Sequence, residues 1–371
     1  VFNLPSLRLG RIFGIPVEIN PTWLIIFVLV ATSLAFSYFP ALFDWPTWLA
    51  VVNGVLTALF FFASVVIHEM SHSLVARAGG IKIRKVTLFL FGGVAQMEEE
   101  PRGPGREFVM AIAGPGASLL LAGLFYIVYA ISRSAGVSDA LWAPLEYLAL
   151  INLSVAVFNL LPGFPLDGGR VLRAILWGIT GDLLKATLWA SRAGQFVGYA
   201  MVGVAVLGVL NGALNLIWLG LIGWFIAVLA DNAYRQQAAK SRLANVPVSA
   251  IMTPDPVVAP GDITLDELAH EYFLGGRHSR YPIVVDGRVV GLISLAGVKG
   301  VPRDQWAATH AFEVADKDMK SLLVDADAHV DEVMDRLVGE RPGAVLAVRD
   351  GRVVGILTRT DVVSRLRRAD I

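Results

Sequence analysis

The sequence contains no cysteine. Disulfides and thiolate metal ligands are therefore excluded, and any metal must be held by imidazole and carboxylate. Charge is scarce too. Only 17% of the 371 residues are Asp, Glu, Lys or Arg, against 55% hydrophobic, where an ordinary soluble domain has roughly one quarter charged. The 31 basic residues balance the 31 acidic ones, so net charge supplies no reason to expect nucleic acid or an acidic substrate. The opening residues VFNLPSLRLGRIFGIPVEINP lack the charged-then-apolar order of a signal peptide, and no cleaved targeting segment is expected. Histidine is almost missing from the apolar half, where only His68 and His72 occur; His270, His278, His310 and His329 all come later.

What charge there is lies unevenly. Between residues 20 and 230 it is confined to short connectors, whereas from Ala239 onward it recurs every few residues. The pattern predicts a membrane domain over 1–235, a linker at 236–245 and a soluble domain over 246–371. A transmembrane helix needs about 20 mostly apolar residues. Such runs fall near 21–39, 48–67, 107–131, 141–161, 194–210 and 213–230. Between the second and third, IKIRKVTLFLFGGVAQM is β-branched and aromatic and predicts strands at the membrane surface. Connector charge sets orientation: Arg8, Arg11, Lys82, Arg84, Lys85, Arg102, Arg106, Arg170 and Arg173 share one side, while the alternate connectors hold little beyond Asp44, Arg133 and Asp139. By the positive-inside rule the chain is a multi-pass protein of the cell membrane with both termini cytoplasmic.

The soluble part repeats itself. SRYPIVVDGRVVGLISLAGV and GAVLAVRDGRVVGILTRTDV share an Asp-Gly turn between two apolar runs, a strong hairpin signal. Each copy, about 246–300 and 312–369, reads as helix, strand, turn, strand, helix. The pattern resembles a tandem cystathionine-β-synthase (CBS) domain, an α/β module. That resemblance implies an adenosine nucleotide, ATP, ADP or AMP, at GILTRTD, with Thr358 on phosphate and Asp361 on the ribose hydroxyls. The first copy reads GLISLAG and has Gly297 where Asp361 stands, so one ribose site per pair is expected. A homodimer through the CBS pair, or a CBS pair that binds no ligand, are the other readings of this module.

Residues 68–72 read HEMSH at the end of the second apolar run. On a helix His68 and His72 lie one turn apart on one face, and both imidazoles reach one zinc. Glu69 beside them is suited to take a proton from water as general base. Ionisable groups in a span cost at least about 2.5–3.5 kcal/mol, so they usually mark function or a buried partner. Catalytic zinc commonly takes three protein ligands. With no further histidine in this half, the third must be a carboxylate, and Asp167 in NLLPGFPLDGGRVL is the candidate. Pro162, Gly163, Pro165, Gly168 and Gly169 must break the helix there, as broken helices do where they line a cavity. Asp167 could equally cap the helix that opens with Gly168 and Gly169.

HExxH followed in a later span by Asn159, Pro162, Pro165, Leu166, Asp167, Gly168, Gly169 and Arg170 resembles the site-2 protease family of intramembrane metalloproteases. Gly114-Pro115-Gly116 and GIPVEINP are also similar to that family, and six spans followed by a CBS pair resemble one of its branches. The resemblance implies one zinc per chain on His68, His72 and Asp167, with Asn159 near an oxyanion. It implies hydrolysis of a peptide bond in or near the span of a single-span membrane protein. A transporter or channel gated by the CBS pair, or a proteolytically silent scaffold, would share the spans and the repeat without requiring the zinc spacing.

Overall fold

The computed structural model describes residues 6–89, 92–97, 99–244, 246–276, 278–338 and 343–368. The expected strand residues Leu90 and Phe91, Glu98 of the acidic run, linker residue Asn245 and the chain end from Ala369 lie outside the described residues. The chain divides into two units, Val1–Arg235 and Gln236–Ile371.

Among the described residues, six helical segments that begin in the first unit are long and apolar enough to cross a bilayer. The first joins α1 (Thr22–Ser33) through a π-helical turn to α2 (Phe39–Leu42). The others are α3 (Thr47–Ala78), α4 (Pro104–Ser134), α5 (Asp139–Asn159), α7 (Leu183–Leu210) and a last span, Leu214–Leu243, formed mainly by α8 (Ile217–Leu243). Between α5 and α7 lies a short helix, α6 (Asp167–Thr180). At 1.5 Å per residue the 32 residues of α3 reach about 48 Å, well beyond the about 30 Å of hydrocarbon. HEMSH and the polar turns that follow lie in its C-terminal third.

These helices turn their small and polar residues inward. On α3 the buried face runs through Ala50, Asn53, Gly54, Thr57, Ala58, Ser64, His68, His72 and Ala76, while Leu56, Leu59, Phe60 and Ile67 are exposed. Lipid solvates leucine as well as a protein interior does, so close approach of backbones, rather than apolar burial, selects the inner residues. Proline and glycine end the elements: Pro46 precedes α3, Gly79 and Gly80 follow it, and Gly181 in a left-handed conformation closes α6. The fifth span begins at Leu183 rather than near residue 194, because Lys185, Arg192 and Gln195 depress its hydropathy without opposing helix.

A four-stranded sheet in the order β1 (Leu7–Ile12), β2 (Ile15–Ile19), β3 (Ile83–Phe89), β4 (Gly92–Met97) accompanies the spans. β2 and β3 run parallel with Val17 opposite Val86, and β3 and β4 are antiparallel with Thr87 opposite Val94. Ile15, Val17 and Val86 pack with Met70 of α3, which seats the sheet against the helix that bears HEMSH. Buried Glu18 accepts hydrogen bonds from Lys85 at 2.7 Å and from Ser6. Lys85 above all, and Ser6, hold its carboxyl below the ordinary value against the effect of burial.

The second unit is built on two β-hairpins. β7 (Arg280–Val285) pairs antiparallel with β8 (Arg288–Ser294), and β10 (Ala344–Arg349) with β11 (Arg352–Thr358). Asp286-Gly287 and Asp350-Gly351 form the turns with all four residues at positive φ, the conformation a two-residue hairpin loop demands. β6 (Ala259–Pro260) adds to β7, and β9 (Leu323–Asp325) to β10, each in parallel. β5 (Thr253–Pro254), from the start of the first copy, crosses to pair with β11 of the second. Helices α9 (Leu265–Leu268), α10 (Leu295–Lys299), α11 (Ala311–Val314), α12 (Met319–Leu322), α13 (Val330–Val338) and α14 (Arg359–Arg368) complete the unit. Leu292 of the first copy packs with Leu322, Leu346 and Ile356 of the second. The stretch expected as a linker is helical as far as Leu243, which lies in the core of this unit.

Candidate metal centre

His68 and His72 project from the buried face of α3, and Asp167 opens α6 directly after the break. Asp167 does not cap that helix. The cap position is Leu166, and no side-chain cap bond forms. Its carboxylate instead turns to the histidines: Oδ2 lies 3.1 Å from His68 Nε2 and 3.2 Å from His72 Nε2, and the two Nε2 atoms are 3.3 Å apart. Ligands about 2.0–2.1 Å from a tetrahedral zinc stand about 3.3–3.4 Å from one another. The three atoms therefore match one face of such a tetrahedron.

Proton positions sharpen the fit. His72 Nδ1 lies 2.7 Å from the Met110 carbonyl, which can only accept, so the ring proton resides on Nδ1 and Nε2 presents a lone pair. His68 Nδ1 is 2.9 Å from Ser118 Oγ, a hydroxyl able to accept the ring proton or to donate its own. With the Nδ1–H tautomer on both rings, a lone pair on each Nε2 converges with a carboxylate oxygen, an arrangement that repels unless a cation joins them. The position of Asp167 at the first turn of α6 also suits a negative charge.

Gly114 leaves the room. A Cβ there would lie 2.6 Å from His68 Nε2 and closer still to His72 Nε2, between the two imidazoles. Any side chain at 114 would fill that space. Glu69 sits beside the trio on α3, and its carboxylate forms no hydrogen bond or ion pair among the described residues, so it is free to act. Gly93 of β4 faces it, and a Cβ at 93 would be 3.1 Å from Glu69 Cδ. The strand therefore runs over the general-base candidate.

The break between α5 and α6 is packed backbone against backbone. A Cβ on Gly194 of α7 would strike the Phe164 carbonyl, and one on Gly168 would strike the carbonyls of Leu160 and Leu161. Phe164 N donates to the Ala190 carbonyl at 3.1 Å, which anchors the loop to α7. Asn159 ends α5 and is half-buried, with no hydrogen bond joining it to the trio.

In the second unit, Asp361 accepts from Thr358 N at 2.9 Å and Thr358 Oγ1 at 2.6 Å, and Thr253 Oγ1 lies 3.3 Å away. Thr358 and Asp361 are thus brought together at the start of α14. At the matching place in the first copy, Ser294 Oγ accepts from Gly297 N at the start of α10, with no carboxylate present. Sequence reasoning missed Met110, Ser118 and Glu107, which line the face of α4 turned to the site. The spacing of Glu107, Met110, Gly114 and Ser118 at three and four residues was the available signal.

Comparison with known proteins accounts for both units. The profile of peptidase family M50 matches residues 56–141 and 130–205, and that of the CBS domain matches 248–300 and 313–368. The chain is 35% identical over 368 residues to sll0528 of Synechocystis sp., a protein named as a zinc metalloprotease, with 98% of this chain and 96% of that one covered. It is 31% identical over 364 residues to the zinc metalloprotease MJ0392 of Methanocaldococcus jannaschii, covering 96% and 95%. Among solved structures, the site-2 protease from Methanocaldococcus jannaschii aligns at 33% identity and a TM-score of 0.44, covering 62% of this chain and 95% of that one. Six long apolar helices, a HExxH span and these relatives together make the chain a member of peptidase family M50, an intramembrane zinc metalloprotease of the site-2 type with a C-terminal pair of CBS domains.

Proposed function

We propose that His68, His72 and Asp167 hold one zinc ion and that Glu69 is the general base for hydrolysis of a peptide bond in or near the span of a single-span membrane protein. The observation that carries the reading is the set of spacings between the three ligand atoms, 3.1, 3.2 and 3.3 Å. Zinc, when bound, lowers the pKa of a water toward about 7 and polarises the carbonyl under attack. Met110 and Ser118 keep the imidazoles in the tautomer that offers Nε2. Glu69 takes the proton from the attacking water and passes it to the leaving amine, a role its unpaired carboxylate suits. Asn159 stabilises the developing oxyanion with its side-chain amide.

A substrate helix hides its scissile carbonyl in an internal hydrogen bond and must unwind first. β4, an outer strand of its sheet and the one facing Glu69, pairs with the unwound segment by strand addition. Water reaches the site from the cytoplasmic side of the membrane, where the Arg-rich connectors gather, and both termini face that side. The CBS pair binds an adenosine nucleotide at Thr358 and Asp361 and adjusts access to the site through its differential affinity for two states.

Metal analysis of purified Asp167→Ala tests the ligand set. A zinc content well below one per chain is expected, and full occupancy with unchanged coordination would remove Asp167 from it.

A further inference from the structure

One face of α4 carries Glu107, Met110, Gly114 and Ser118. Met110 and Ser118 touch His72 and His68, and Gly114 leaves the space between them. Glu107, at the start of this stripe, touches neither histidine. It is 1% exposed, and its Oε1 accepts from Arg173 Nε at 2.7 Å and from Nη2 of the same guanidinium, with Arg170 Nε 3.9 Å away. Both arginines belong to α6, the helix that Asp167 begins. Arg173 also stacks its guanidinium 5.0 Å from the centre of the Phe164 ring, in the break that precedes Asp167. A single side chain thus ties α4, α6 and the break together.

Burying a charge costs several kcal/mol, and apolar residues of similar volume often replace a buried pair without loss. What apolar residues do not supply is direction, since two donors of one guanidinium on one carboxylate fix position and register. α6 needs such a fixture because it has 14 residues and is separated from α5 by the non-helical stretch that starts at Leu160. A shift of one residue along a helix moves a side chain by about 1.5 Å, whereas a functional constellation tolerates about 0.5 Å. We infer that the Glu107–Arg173 pair is a clamp that fixes α6 against α4 so that Asp167 Oδ2 meets both Nε2 atoms. Glu107 and Arg173 are positioning residues for the metal site. The inference rests on the reading of Asp167 as third ligand.

The test uses full-length protein in detergent and measures zinc affinity by chelator competition, together with the visible absorption spectrum of the cobalt-substituted site. Glu107→Gln and Arg173→Lys are each expected to lower zinc affinity about 10- to 100-fold and to move the cobalt spectrum toward that of Asp167→Ala. The exchanged pair, Glu107→Arg with Arg173→Glu, is expected to regain part of that affinity, and no gain over the single variants would count against the clamp. Arg173→Lys keeps the buried charge and decides the matter if Glu107→Gln misfolds. Wild-type affinity and spectrum in Arg173→Lys, alongside loss in Asp167→Ala, would overturn the clamp and leave the ligand set standing. A lowered unfolding temperature with unchanged affinity in the folded protein would do the same. Wild-type affinity and spectrum in Asp167→Ala would instead overturn the ligand set itself.

Discussion

The two units bury different things. The CBS unit encloses Leu265, Ile283, Ile293, Leu346 and Leu357, as a domain in water does, whereas the membrane unit encloses Ala58, Thr57, Ser64, Ser73, Ser118, Asn152 and two histidines. Water rewards apolar burial at about 25 cal/mol per Å², but lipid removes that reward and leaves shape and polar pairing to decide the interior. Polar groups suited to catalysis therefore displace little apolar stabilisation in the membrane unit. Alanine should fail for a steric reason at a glycine of one unit and for a cavity at a leucine of the other.

The sharpest way to press this contrast is Gly114→Ala. Adding one methyl group against the Nε2 atoms of both histidines should abolish zinc binding and cleavage, a loss of several kcal/mol in metal affinity, while the helices stay folded. Metal analysis and circular dichroism on the same sample check it. The converse is Leu346→Ala, which removes methyl groups from a fully buried position in the CBS unit. It should cost about 2–5 kcal/mol of that unit's stability, read from its unfolding transition, with zinc content unchanged. Next in size is Ser118→Ala. Loss of the partner of His68 should weaken zinc about 10- to 100-fold without lowering the unfolding temperature comparably. Equal damage to zinc and stability would blur the distinction between the interiors.

The smallest effect expected is at Glu18. Lys85 and Ser6 depress its carboxyl in the folded state, so its stabilisation is full above the unfolded pKa of about 4.3 and is lost as pH falls through the lower folded value. Glu18→Gln should therefore be less stable than wild type above the unfolded pKa, with the difference lost as pH falls through the folded one, as acid unfolding would show.

Legibility followed locality. HEMSH was readable because an i, i+4 pair needs only a helix, and the break at Asp167 because proline and glycine act where they stand. The hairpins were readable from Asp-Gly for the same reason. By contrast, the Met110 carbonyl and Ser118 matter only because α4 packs beside α3, a relation between segments some 40 residues apart. Glu107 and Arg173 look like surface charges until α6 folds back on α4. The crossing of β5 to β11 was hidden because a two-residue strand carries no periodicity. Hydropathy also misjudged the start of α7, where charged residues occupy a helix that continues toward the membrane surface.

The central claim is that Glu69 moves protons and does not hold the metal. Glu69→Gln, purified after co-expression with a single-span substrate candidate that wild type cleaves, measures it in one preparation. The account predicts one zinc per chain and no fragment. A fragment at the wild-type level, or a chain without zinc, would contradict it.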